Sequence, residues 1–196
     1  MKLSTLRSFA AGLLALGAVT LTQAIDTVTL TPARVRLSPH ETISFGPNSG
    51  KVIVVYGRPY TAKPKTGEAR TVWGGDLVPA GKIWRLGSDE ATLLITPKAL
   101  TFGGSAAVTV PAGTYTMFLW VDSADQVSLV ISKQVGQWGL VYNADQDLAR
   151  IPMNEAKLAE PIHQFQMALD KGTAGGGVLK LMWEDKQFFL PFTVAK

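Results

Sequence analysis

The last third of the chain alternates. Leu179, Leu181 and Trp183 fall on one face of an extended segment, and Phe188, Leu190, Phe192 and Val194 on one face of the next. Phe165, Met167 and Leu169 form a similar stripe ahead of the glycine-rich GTAGGG stretch. Successive side chains of a strand point to opposite faces, so each stripe predicts a half-buried strand. Asp185-Lys186 predicts a tight turn, and the chain end reads as a three-strand antiparallel meander.

Upstream, short runs rich in Val, Ile, Thr, Phe and Tyr recur between Gly, Pro, Asn and Asp, and helix signals are scarce. Strands are predicted over 27–37, 41–45, 51–56, 82–85, 91–96, 99–102 and 106–110. A further strong strand follows Pro111-Ala112-Gly113 and pairs as a hairpin with 127–132. The run KVIVVY is nearly all apolar, which predicts burial of both its faces. The expected fold is all-β: an antiparallel β-sandwich, jelly-roll-like or related, with little helix apart from the signal peptide. Segment 57–80 differs, being rich in Pro and Gly; long loops of this kind are usually functional or mobile.

Residues 1–24 read as a signal peptide that is cleaved. Lys2 and Arg7 supply a basic start, SFAAGLLALGAVTL an apolar stretch too short to span a bilayer, and Thr22-Gln23-Ala24 small residues at a cleavage site. The protein is expected to be exported to the periplasm or the medium, and 25–196 to form one domain with no membrane span. With 46% hydrophobic and 17% charged residues, the chain has enough apolar material for a core. It has no Cys, so that core works without disulfides. Cleavage would remove Lys2 and Arg7 and halve the formal charge of +4. No Lys/Arg cluster marks a strand or helix face, so nucleic acid is not an expected partner.

Catalytic patterns are weak. No G-x-S-x-G elbow occurs, and Ser88 in LGSDE has Gly only on its N-terminal side. Two scattered histidines, His40 and His163, do not make a zinc site. Asn143, Asp145 and Asp147 have the alternate spacing of a calcium loop, but Leu148 and Asn154 stand where Gly and Glu belong. That segment reads as a polar turn whose side chains bond nearby backbone. No metal, cofactor or catalytic set is expected. Adjacent Asp89 and Glu90 point to opposite faces on a strand, which disfavours a glycosidase.

One constellation is stronger. Tyr56, Arg58 and Tyr60 end one apolar strand, Trp84 and Arg85 end another, and Asp89 and Glu90 precede the next. Three strand ends meeting at one rim would bring planar guanidinium forks beside flat aromatic faces. His40, at a strand start, is a further candidate for that rim. Two readings stay open: a ligand site, or an ion pair of Arg58 or Arg85 with Asp89 or Glu90 that locks the long loop.

Several stretches resemble a known family. They are SPHETISF at 38–45, VYGRPY at 55–60, WGGDLVPAGKIWRLGSDEAT at 73–92, VPAGTYTMFL at 110–119, GQWGLVYNADQDLARIPM at 136–153 and LKLMWEDKQFFLPF at 179–192. Together they resemble the bacterial domain of unknown function 2911 family, over nearly all of the chain beyond Ser38. The resemblance implies an exported, β-rich protein and carries no activity, substrate or cofactor. Its most recognisable elements are matched by Arg58-Pro59 and by Trp84, Arg85, Glu90, Ala91 and Thr92, at the rim described above. The family usually shows Asn where this chain has Asp89, which puts in doubt an amide hydrogen bond there.

The expected function is a binding or structural module whose Arg/aromatic rim takes a small anion, a sugar, a peptide or a protein partner. The alternative is a hydrolase-type enzyme with Glu90 or His40 as general acid or base.

Overall fold

The computed structural model describes residues 36–47, 50–103, 107–122, 126–173 and 175–196. All lie in the unit Val35–Lys196. The expected signal peptide lies outside the described residues, as does the strand expected over 27–37 apart from Arg36 and Leu37, which are not in a strand.

Eleven strands follow in order: β1 (His40–Phe45), β2 (Val52–Gly57), β3 (Lys82–Trp84), β4 (Thr92–Thr96), β5 (Leu100–Phe102), β6 (Val108–Val110), β7 (Gly113–Val121), β8 (Val127–Ser132), β9 (Asp147–Pro152), β10 (Asn154–Lys171) and β11 (Gly177–Val194). The helical content among the described residues is one 3-10 turn, Ala144–Gln146. One sheet has the order β1-β2-β4-β7-β8-β9, with β3 also paired to β7; the other has the order β10-β11-β5-β6. The two antiparallel sheets pack together as an all-β sandwich.

Alternation builds the core. Val52, Val54 and Tyr56 of β2, Leu94 of β4 and Met117 and Leu119 of β7 point inward. They meet Phe165 and Met167 of β10 and Leu181, Trp183 and Phe188 of β11. Each fully buried large apolar side chain is worth about 1.5–3 kcal/mol. In KVIVVY only alternate residues are fully buried; Ile53 and Val55 are half-covered, so one face is core and the other partly open. The run TMFLWV is different. Phe118 and Val130 are fully buried outside the main core, and Tyr142 packs edge-on against Phe118 with ring centroids 5.0 Å apart. Segment 133–146 thus covers the outer face of β7 and β8.

Two local expectations change. Asp185-Lys186 is not a hairpin turn: β11 runs through it, with Glu184 at φ 52. Lys157 opposes Lys186 but Ile162 opposes Glu184, so β10 bulges there and both strands continue. The meander is one long hairpin. Asp147, which reads as the end of a polar turn, instead opens the edge strand β9 (Asp147–Pro152), for which no strand is expected from the sequence. The turn before it is as expected, since Asn143 Oδ1 accepts from the Asp145 amide at 3.0 Å. Among the described residues no cluster of His, Asp or Glu could hold a metal, and no helix is long and apolar enough to cross a membrane.

Candidate functional site

The stretch IWRLGSDEAT is one strand interrupted. Trp84 opposes Leu119 of β7, and Thr92 opposes Met117. A regular ladder would place Leu86, not Thr92, opposite Met117, so the intervening residues leave the sheet and return. Leu86 (φ 53) and Asp89 (φ 64) take left-handed backbone to do so. For a buried Leu this costs about 1–2 kcal/mol, offset by burial of its side chain and by Thr92 Oγ1 donating to the Leu86 carbonyl at 2.8 Å. Gly139 supports the far side, where its amide donates to the Asp89 carbonyl at 3.3 Å.

A cavity of about 250 Å³ lies beneath this excursion. Its polar wall is Arg70, Asp76, Arg85, Ser88 and Asp89; Leu37, Pro59, Leu77, Trp84 and Leu140 supply apolar surface. Trp84 is held from behind by an aromatic block: it stacks on Trp183 at 5.7 Å and meets Phe165 edge-on at 5.2 Å. Arg85 donates from Nε to the Gly87 carbonyl (3.3 Å) and from Nη1 to the Asp89 carbonyl (3.5 Å). Arg70 donates from Nη2 to the carbonyls of Tyr60 and Ala62. Neither guanidinium enters an ion pair among the described residues; burial lowers the pKa of both, and at Arg85 the nearby Asp89 charge partly opposes this. Three atoms of this wall are buried without a hydrogen bond: Arg70 Nε, Ser88 Oγ and Asp89 Oδ2. Unmatched polar atoms of this kind cost about 1–3 kcal/mol each, and native folds carry few of them.

Glu90 faces a different partner from either expected arginine. Its carboxylate accepts from Arg36 Nε at 2.9 and 3.2 Å and from Arg36 Nη2. This pairing chiefly holds the Glu90 pKa below the ordinary glutamate value. His40 Nε2 is 2.8 Å from Glu90 Oε2, an ion-pair distance if the ring is protonated, yet neither ring nitrogen makes an aligned hydrogen bond. The ion pair expected between Arg58 or Arg85 and Asp89 or Glu90 is thus replaced by Arg36–Glu90. That contact fixes the segment whose next residues, Leu37 and Ser38, line the cavity. A lowered carboxyl pKa suits an anchor better than a general acid.

The remaining candidates fall elsewhere. Tyr56 is a core residue: its hydroxyl donates to Glu41 Oε2 at 2.6 Å and accepts from the Met167 amide at 2.8 Å. Arg58 donates to the Phe165 carbonyl at 3.2 Å and stands 3.4 Å from Glu41 Oε2. Tyr60 is exposed and bridges to Gln164. Of the eight candidates, Trp84, Arg85 and Asp89 line the cavity, while His40 and Glu90 hold its lip. Arg70, Asp76 and Ser88 were not among them. The loop carrying the first two was marked by its composition, but nothing in its pattern singled out these positions.

Residues 38–192 match the family model described as Protein of unknown function (DUF2911), and the chain belongs to that family. A search of curated proteins and a search of solved structures each found no match.

Proposed function

We propose that this protein is an exported ligand-binding module, working in the periplasm or outside the cell, whose site is the cavity under residues 85–91. Arg70 and Arg85 receive an anionic group of a small molecule, Leu37 and Leu140 give apolar surface, and Arg36–Glu90 holds the lip. The observation that carries this reading is the pair of half-buried guanidinium groups on one cavity wall, neither within salt-bridge distance of a carboxylate among the described residues. A buried guanidinium is stabilised by a planar oxyanion that it can grip through two parallel hydrogen bonds. Support for export comes from the basic, apolar and small-residue order of residues 1–24.

A thermal-shift screen with carboxylates, phosphates, sugars and short peptides tests it. A true ligand at a hundredfold its Kd stabilises by about 2.7 kcal/mol, worth roughly 5–10 °C in a domain of this size. The shift should vanish in Arg85→Met and Arg70→Met, which keep the aliphatic stems. A shift that survives both substitutions would place binding elsewhere.

A further inference from the structure

The charges of the cavity wall say more about the ligand. Two cations, Arg70 and Arg85, stand with two carboxylates, Asp76 and Asp89. A simple anion would answer the guanidinium groups, but it would enter beside two negative charges. A simple cation would have the reverse fault. The rest of the wall is apolar, with Leu37, Leu77, Trp84 and Leu140.

Resting on the reading of this cavity as a ligand site, we infer that it takes a small zwitterion of the free amino-acid type. The ligand carboxylate lies on Arg70 and Arg85, the ammonium lies at the carboxylates of Asp76 and Asp89, and an apolar side chain lies against Leu37, Leu77 and Leu140. A volume of about 250 Å³ suits such a molecule and is below the roughly 300–1,000 Å³ typical of sites for larger ligands.

Calorimetric titration of the protein with the standard L-amino acids tests the inference. The best binder is then compared with its two truncated forms, the acid lacking the amine and the amine lacking the carboxylate. Glucose and inorganic phosphate are titrated in parallel. The expected result is binding of at least one apolar amino acid, with each truncated form at least tenfold weaker. Asp89→Asn should lower the preference for the amino acid over its des-amino acid at least tenfold. Asn accepts left-handed backbone readily, so the loop keeps its course; Asp76→Asn serves as a second variant that leaves residue 89 intact, and should lower the same preference.

Other outcomes overturn it in separable ways. If carboxylates or phosphate bind in an Arg85-dependent manner and no amino acid binds more tightly than its des-amino acid, the anion site stands and the zwitterion falls. Tighter binding of glucose than of any amino acid has the same meaning. If nothing binds, or binding ignores Arg70→Met and Arg85→Met, both readings fall.

Discussion

Gly57 and Ser88 meet backbone to backbone. A Cβ on Gly57 would stand 2.2 Å from the Ser88 carbonyl oxygen and 2.5 Å from its Oγ. The end of β2 and the loop over the cavity are therefore seated on each other with no room for a methyl group. Gly57→Ala should push the loop outward. Overpacking of this kind costs about 1–3 kcal/mol, and the melting temperature should fall by roughly 2–12 °C at 2–4 °C per kcal/mol. Ligand affinity should drop with it. An unchanged melting curve would mean that the loop is not seated where it is described.

Glu90 sets an acid-side dependence. Its folded pKa lies below the ordinary 4.5 because Arg36 donates to it. The folded state therefore binds this proton less readily than the unfolded chain. The contribution to stability is fully present above pH 4.5 and is lost as pH falls through the lower folded value. Glu90→Gln should lower the melting temperature slightly at neutral pH, and the gap to the parent should close as pH drops below that range. The carboxylate is 41% exposed, so the effect is small and shrinks in high salt. Melting curves between about pH 2 and 7 measure it; a gap that widens on acidification would contradict the assignment.

Tyr56 ties the sheets together through one oxygen. Its hydroxyl joins Glu41 on β1 to the Met167 amide on β10, and burial pushes its pKa well above that of a free phenol. Tyr56→Phe leaves that amide without its acceptor, a loss of about 1–3 kcal/mol. Denaturant titration should show a lower midpoint with an unchanged slope. In an alkaline absorbance titration, this phenol should stay protonated until the fold opens.

Much of the architecture is legible in single side chains. Leu179, Leu181 and Trp183 face the core as their spacing requires, and so do Phe188, Leu190 and Phe192. Hairpin β7–β8 falls where the two apolar runs flank Asp122 and Gln126. The failures have a common cause. The bulge of β10 opposite Glu184 depends on its partner strand, so Asp185-Lys186 looks like a turn when read alone. Leu86 gives no sign of positive φ, because the sheet around it forces the excursion. Arg70 reaches the cavity through carbonyls of Tyr60 and Ala62, and Glu90 is matched by Arg36, far upstream. Local pattern carries strands and faces; pairing across the chain is decided by packing, and the site consists largely of such pairings.

Amide chemical-shift mapping tests the central claim most directly. The protein, labelled with ¹⁵N, is titrated with an apolar amino acid and separately with its des-amino acid. The cavity reading predicts saturable shifts at Gly87, Ser88, Asp89 and Trp84, and little change at Thr101, Gly177 and Thr193, which lie around a separate surface depression. Shifts centred on that depression, or spread without saturation over the whole surface, would contradict the account.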